Sequence, residues 1–206
     1  MKVAQSSEDN AKITESENSR KAKRWFFSTL VLLTVLLIGT AAMVIFVDPY
    51  FHYHKPLSFL SYRIYEERYV NDGISRHFTY DAVITGTSMA QNFKTSELDE
   101  LFGTHSVKEP FSGADFRELS ENLNRTLQYG QEVKMVVMPL DYNALLQAAD
   151  WQKYEEYPTY LYDNNIFNDA RYVWNKAIFY HGVVADLLRT VSGEPSTTMD
   201  EYSSWV

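Results

Sequence analysis

Hydrophobic and polar positions divide the chain into a polar start, one long apolar stretch and a body in which strand and helix patterns alternate. Residues 25–47 form 23 consecutive positions without a charged side chain. A helix of that length extends about 35 Å, which is longer than the roughly 30 Å hydrocarbon core of a bilayer. The pattern therefore predicts one transmembrane helix over residues 25–47.

Charged residues on either side of the apolar stretch predict its orientation. Four basic residues lie just before it: Arg20, Lys21, Lys23 and Arg24. Asp48 follows it. Because basic residues flank the cytoplasmic end of membrane helices, we expect the N-terminus in the cytoplasm and residues 48–206 outside. The alternatives are a cleaved signal peptide, which would have a shorter apolar region, and a buried helix of a soluble protein.

The segments around the span predict three further regions. Residues 1–24 are expected to form a cytoplasmic tail, and the first 19 of them lack apolar periodicity, which is typical of disorder. Residues 48–80 are interpreted as a juxtamembrane connector with one short helix around 60–70 that ends near Gly73. The remaining residues, 81–206, are expected to form an α/β domain.

The body of the chain alternates between strand and helix patterns. Apolar runs predict strands over residues 81–85, 105–111 and 132–140, and amphipathic runs predict helices over 96–103 and 115–130. This alternation implies parallel pairing with right-handed crossovers. We therefore expect the polar residues that follow the strands to lie at one sheet edge, where parallel sheets bind ligands.

Residue types at the ends and faces of these elements add detail. Ser96 is predicted to cap the first helix. The second helix is predicted to carry four apolar residues on one face: Phe116, Leu119, Leu123 and Leu127. Residues 142–166 form an aromatic-rich loop whose tyrosines, between positions 154 and 162, are candidates for stacking on sugar rings, and 167–193 is predicted to be one long helical segment.

Composition and charge exclude several classes of protein. The 206 residues include no cysteine, which excludes a disulfide-stapled module, a zinc finger, a thiolate-ligated iron–sulfur site and a cysteine nucleophile. The formal net charge is −8, and residues 1–24 contain six basic and four acidic side chains, so the rest of the chain carries −10. Because an acidic body repels phosphates, nucleic acid is not an expected partner.

Two of the strand ends carry residues suited to acyl transfer. Ser88 follows the first strand and Gly86, and a serine there can present its hydroxyl at the sheet edge. Gly113 lies where the second strand meets the next helix, and the N–H of a glycine can approach a reacting oxygen closely. Each feature taken alone is more typical of an ordinary turn, so neither specifies an enzyme by itself.

Taken in order, these motifs resemble the SGNH/GDSL hydrolase superfamily. They are Gly-Thr-Ser-x-x-x-x-Phe from Gly86 to Phe93, Ser-Gly at 112–113, and an apolar strand ending in Leu-Asp at 140–141. With the DPYFHYHKP segment that follows the span, the chain resembles membrane-anchored bacterial members associated with cell-surface polysaccharides. The resemblance covers about residues 48–145.

This resemblance implies a fold and a set of roles. The implied fold is α/β, with a three-layer, flavodoxin-like parallel sheet that is incomplete here, preceded by one transmembrane helix. Ser88 matches the nucleophile and Gly113 matches an oxyanion donor. Asn143 is the candidate for a second oxyanion donor, with Asp141 as the other tentative match, because the third block lacks its usual glycine. No cofactor or metal is implied.

The last block of the family, Asp-x-x-His, is absent. None of the five histidines has an aspartate three positions before it. A serine hydroxyl is a poor nucleophile without a base within hydrogen-bond reach. We expect the chain to lack a C-terminal part of the domain; the alternative is that His77, His105 or His181 substitutes.

Two functions therefore remain open from the sequence. The first is a membrane-anchored, extracytoplasmic esterase or O-acyltransferase, such as an O-acetyltransferase, acting on acyl groups of cell-surface glycan. Its expected partners are the lipid bilayer and a surface polysaccharide. The second is a non-catalytic anchored accessory protein of polysaccharide assembly, which the absent Asp-x-x-His block favours for the chain as given.

Overall fold

A computed structural model of the protein describes residues 2–129, 132–142, 146, 158–163 and 165–205, with side chains from residue 17 onward. The chain divides into two compact units, residues 1–42 and 43–206. The described residues of the first unit, 2–42, are all helical and belong to α1, Lys2–Val47. From residue 17 to Val47 this helix is long and apolar enough to cross a membrane.

Helix α1 begins earlier than the sequence indicates. The first 19 residues were expected to be disordered, but the structure has them in helix from Lys2 onward. Extending an existing helix adds one hydrogen bond for each residue fixed and needs no new nucleus. The polar tail contains Ala, Lys, Glu and Gln, which are good helix formers, so it continues the apolar helix.

The second unit contains a parallel sheet of three strands. They are β1 (Ala82–Gly86), β2 (Ser106–Pro110) and β3 (Met135–Val137), in the order β2-β1-β3. Both neighbours of β1 run parallel to it, so Ala82 lies opposite Ser106 on one side and Met135 on the other. The predicted α/β class and parallel pairing are confirmed.

Strand β3 is shorter and more exposed than its sequence predicts. The apolar run over 132–140 is typical of a strand buried on both faces, but only Met135–Val137 is in the ladder and Val136 is 37% exposed. In the described part of the chain, β3 pairs only with β1. Edge position does not by itself account for the exposure, since β2 lies at the other edge of the sheet and is buried throughout.

Helices cover both faces of β2. They are α2 (Glu67–His77), α3 (Thr95–Phe102) and α4 (Phe116–Tyr129). The Glu109 side chain accepts hydrogen bonds from Ser75 of α2 and Asn122 of α4, whereas the Ser106 hydroxyl donates to the Thr95 carbonyl of α3. Ser106 and Glu109 are three positions apart in β2, so their side chains point to opposite faces of the sheet. Helices α2 and α4 therefore lie on one side of β2, and α3 lies on the other.

Helix α2 lies later in the chain than predicted. The sequence places a short helix around 60–70 that ends near Gly73, but α2 starts at Glu67 and Gly73 lies inside it. A Cβ at Gly73 would overlap the Tyr50 carbonyl and lie 2.7 Å from the carbonyl oxygen of Phe51. Here glycine permits a close approach of two backbones and is not a helix stop.

The ends of α3 and α4 are only partly as predicted. Gly103, with φ +66°, ends α3 as expected, but Ser96 is not its cap, because α3 begins at Thr95 and the Ser96 hydroxyl donates to Asp200. Helix α4 is capped by Asp115, whose carboxylate accepts the Glu118 N–H at 2.7 Å. Gly130, which follows α4, lies outside the described residues.

The buried face of α4 is more polar than predicted. Of the four apolar residues expected there, Leu119 is buried, but Phe116 is 40% and Leu127 49% exposed. Asn122 and Thr126 are fully buried instead. The cause lies on β2, where the buried Glu109 carboxylate needs hydrogen-bond donors that only polar side chains can supply.

The predicted long helix over 167–193 is interrupted. The described elements after β3 are a 3₁₀ turn (Thr159–Leu161), α5 (Ala170–Val173), a π-helical stretch (Ile178–Val184) and α6 (Ala185–Val191). The Asn175 side chain accepts the Ala177 N–H at 2.8 Å, so a new helix is capped where the break occurs. Trp151, Tyr154 and Tyr157 of the predicted aromatic loop lie outside the described residues.

Polar residues at the end of the chain pack onto the α/β body. Asp200 accepts hydrogen bonds from both Thr95 and Ser96 at the start of α3. Tyr202 is fully buried, and its hydroxyl donates to the Asn71 side chain at 2.6 Å. Residues 194–205 therefore belong to the folded unit.

Candidate active site

The loops that follow the three strands meet at the carboxyl edge of the sheet. The Phe111 N–H donates to the Gly86 carbonyl at 2.8 Å, which joins the ends of β1 and β2. The Thr87 hydroxyl donates to the Asp141 carboxylate at 3.1 Å, which joins the end of β1 to the loop after β3. Ligands of parallel sheets bind at this edge.

Ser88 lies in a tight turn directly after β1. Gly86 has φ +149°, and a Cβ there would lie 3.2 Å from both Ala90 and Pro139, so only glycine fits. The Thr87 side chain accepts the Met89 N–H and caps the 3₁₀ turn that Ser88 begins. The Ser88 side chain is half-buried, and among the described residues none forms a hydrogen bond with its hydroxyl.

Gly113 lies in a tight turn after β2. The Ala114 N–H donates to the Phe111 carbonyl at 3.0 Å, and Gly113 has φ +63°, a conformation that favours glycine. No hydrogen bond joins the Gly113 N–H to any residue that the structure describes. The backbone at this position can therefore donate to a ligand oxygen.

At the end of β3, Asp141 contacts the turn that carries Ser88. The Asp141 carboxylate accepts the Thr87 hydroxyl and makes a further interaction, so it holds the Ser88 turn. Asn143, the candidate for a second oxyanion donor, lies outside the described residues and stays a prediction. Among the described contacts, none directly joins Ser88, Gly113 and Asp141.

Two of the three candidate replacement histidines lie near the opposite edge of the sheet. His105 directly precedes β2, and His77 ends α2 only a few residues before β1 begins. Burial lowers the pKa of His77, which favours its neutral form. Since Ser88 follows the carboxyl end of β1, neither imidazole is placed to activate it.

The described contacts of the other three histidines do not involve Ser88. His52 pairs with Asp169 at 3.3 Å. Both ring nitrogens of His54 face carbonyls, of Lys55 and Ile45; burial lowers the pKa of His54, but these bonds and the nearby Asp48 carboxylate together outweigh burial and raise it. His181 lies in the π-helical stretch, where its carbonyl accepts the Tyr65 hydroxyl.

Two adjacent clefts lie beside the site loops. One of about 470 Å³ is lined by Gln91 and Ser112, which belong to the loops after β1 and β2, together with Tyr69 and Trp205. The other, of about 450 Å³, shares Tyr65, Glu66 and Tyr69 with the first and extends to His181. Aromatic rings beside carboxylates can stack on sugar rings and accept bonds from their hydroxyls.

The structure also places a residue at the site that sequence patterns do not indicate. The Glu67 carboxylate accepts the Ser112 N–H and the Gln91 side-chain N–H, each at 2.5 Å. In the sequence, Glu66 and Glu67 form an acidic pair typical of an exposed helix start. The one available signal is the spacing of Glu67, Asn71 and Ile74, which places them on one face of α2.

Comparisons with protein families, with curated proteins and with solved structures found no match. A proposal of function for this chain therefore depends on its motifs and on the geometry of this edge of the sheet.

Proposed function

We propose that this chain is a membrane-anchored protein whose extracytoplasmic α/β domain carries an SGNH-like acyl-ester site, as in an esterase or O-acyltransferase of cell-surface glycan. One observation carries the proposal. Ser88 has a half-buried hydroxyl with no hydrogen bond to a described residue, at the same sheet edge as the Gly113 turn.

The chemistry follows from the atoms at this edge. The Ser88 oxygen attacks the acyl carbon of an ester, and its proton passes to a base. The negative charge that develops on the carbonyl oxygen is stabilised by the Gly113 N–H and by Asn143. The ester C–O bond then breaks, the alcohol leaves with a proton, and water or a sugar hydroxyl accepts the acyl group from Ser88.

The sheet supports the same proposal at the level of the fold. The order β2-β1-β3 is the beginning of the flavodoxin-like order 2-1-3-4-5. Helices on both faces of β2 are what a three-layer arrangement requires, and the half-exposed β3 has the edge at which a fourth strand would pair.

A second candidate function has its own observation. All five histidines lie within the described residues, and none forms a hydrogen bond with Ser88. Serine-triad enzymes that lose a triad member keep only about 10³–10⁴-fold acceleration over water. A non-catalytic, anchored accessory protein of polysaccharide assembly that keeps the fold would have this geometry.

One experiment tests the proposal without a base. Because the chain has no cysteine, Ser88→Cys introduces a single thiol, which reacts as a thiolate and needs no imidazole to attack an ester. The full chain in detergent micelles is treated with p-nitrophenyl acetate, which acetylates the thiol and releases p-nitrophenolate. It is treated separately with iodoacetamide, which alkylates the thiol without forming an oxyanion.

The ratio of the acylation rate to the alkylation rate measures stabilisation of the oxyanion, because the reactivity of the thiol affects both rates and cancels. The matched control is Ser120→Cys, an exposed position on α4 that lies outside both clefts and both turns. We expect the ratio to be about 100-fold larger for Ser88→Cys, the effect typical of one oxyanion donor. Equal ratios for the two variants would contradict the acyl-ester site and support the accessory function.

A further inference from the structure

Helix α2 holds the loop after β2 through three backbone groups. The Asn71 side-chain amide donates to the Pro110 carbonyl at 2.7 Å. The Ser112 N–H donates to the Glu67 carboxylate, and the Arg68 guanidinium donates to the Ser112 carbonyl at 3.0 Å. These contacts fix the backbone immediately before Gly113 at successive points.

Glu67 also holds the loop after β1. One of its carboxylate oxygens accepts the Ser112 N–H, and the other accepts the Gln91 side-chain N–H. Gln91 closes the 3₁₀ turn that begins at Ser88, since its own N–H donates to the Ser88 carbonyl. A single carboxylate from α2 thus links the turn that carries Ser88 to the turn that carries Gly113.

This link requires a side chain that reaches both turns and accepts the Ser112 N–H. A carboxylate accepts both bonds as they stand, because it is acceptor-only when ionised. A glutamine keeps both bonds only if the Gln91 amide turns over and presents its oxygen, whereas an apolar side chain keeps neither. Glu67 is only 8% exposed, so water cannot readily replace the lost acceptor.

We propose that Glu67 is a positioning residue of the acyl-ester site, which sets the separation between the Ser88 hydroxyl and the Gly113 N–H. The inference rests on the proposed function. Both oxygens of Glu67 are occupied by loop donors, so it acts through the two turns and not on the substrate. Misplacing a reacting group by about 1 Å can cost about 100-fold in rate, so a link between the two turns has kinetic consequences.

The test uses the Ser88→Cys chain as its parent. Glu67→Met, which is similar in length but cannot accept either bond, is expected to lower the ratio of acylation to alkylation rates by about 10- to 100-fold, because both turns lose their shared acceptor. The matched control is Glu100→Gln, which removes the charge of an exposed carboxylate on α3, outside both clefts, and should leave the ratio unchanged.

A rescue variant separates positioning from general loss of structure. Glu67→Gln is the conservative variant, since its amide oxygen can accept the Ser112 N–H while its NH₂ group donates to the Gln91 oxygen once the Gln91 amide turns over. This variant should keep most of the ratio that Glu67→Met loses. Failure of this rescue, with melting temperatures equal among the variants, would overturn the proposal.

Amide hydrogen exchange distinguishes the two proposals. Exchange of the peptide that contains Ser112 should accelerate in Glu67→Met and stay near the parent rate in Glu67→Gln. Unchanged exchange and an unchanged ratio in Glu67→Met would overturn the positioning role. If the Ser88→Cys parent itself shows no acylation advantage over Ser120→Cys, the acyl-ester function fails, and the link would then have a structural role only.

Discussion

Glu109 is a fully buried carboxyl group in the middle of β2, and its titration should control how stability depends on pH. The carboxylate accepts hydrogen bonds from three neutral side chains, Ser75, Asn122 and Thr126, at 2.8, 2.7 and 2.6 Å. Burial raises the pKa of Glu109 from 4.5 to about 7, because the loss of hydration outweighs the three hydrogen bonds.

The size of the effect follows from this shift. Because the folded pKa lies above the unfolded one, the folded state binds the proton more tightly, and the stabilisation is complete below pH 4.5 and lost as the pH rises through about 7. Between pH 5 and pH 8, this single group should reduce the free energy of unfolding by about 2–3 kcal/mol.

Two other groups define the useful pH range. Burial raises the pKa of Asp186 to about 7 although its carboxylate accepts the Arg63 N–H, so it adds a decline in the same direction. Burial lowers the pKa of Lys108 to about 8, so above that pH the folded state regains stability as the pH rises toward 10.5. Measurements between pH 5 and pH 8 therefore emphasise the carboxyl groups.

The assay is thermal unfolding of the full chain in detergent micelles, followed by the fluorescence of its four tryptophans. For a chain of this size, the contribution of Glu109 to the free energy of unfolding corresponds to a decrease in Tm of about 5–10 °C between pH 5 and pH 8. Glu109→Gln, which cannot ionise, should remove the part of the Tm decrease that is due to Glu109. Asp186→Asn should remove the separate part that is due to Asp186. An unchanged pH slope in Glu109→Gln would refute the reasoning.

Two further predictions concern the close packing at Gly73 and the membrane topology. Gly73→Ala should lower the free energy of unfolding by about 1–3 kcal/mol, measured by chemical denaturation, because its Cβ would overlap the Tyr50 carbonyl; unaltered stability would contradict the close packing. Protease added to right-side-out vesicles should digest epitopes after residue 60 and spare those before residue 20, whereas the reverse pattern would contradict the orientation of α1.

Elements defined by local periodicity could be predicted from the sequence. The strands Ala82–Gly86 and Ser106–Pro110 lie within the apolar runs that predict them, and Gly103 ends α3 because few other residues adopt its positive φ. Such features depend on neighbours in sequence. Parallel pairing could also be predicted, since neighbouring strands that are connected through a helix usually run parallel.

Features that depend on distant partners could not be predicted. Lys108 and Glu109 are adjacent charged residues inside a strand, and both are fully buried. The Lys108 ammonium donates to the Gln91 and Asp200 carbonyls, the latter 92 positions away in the sequence. No periodic pattern encodes such a pairing, and the same holds for Glu67, whose partners lie beyond β1 and β2.

In the proposed function, the segment between α1 and β1 contributes to the site through α2. The compact unit begins at Met43, and α2 contacts the turn at residues 48–51 that follows α1, here called the exit turn, at one point and the loops after β1 and β2 at another. Gly73 packs against the backbone of Tyr50 and Phe51, and Glu67, less than two helical turns earlier, holds the loops of Ser88 and Gly113. Because a helix is stiff over this distance, a displacement of the exit turn would be transmitted to the site loops by α2.

A soluble fragment that starts at residue 81 would lack this helix, and the Pro110 and Ser112 backbone groups would lose their partners. Acyl-transfer measurements should therefore use a chain that includes the exit turn.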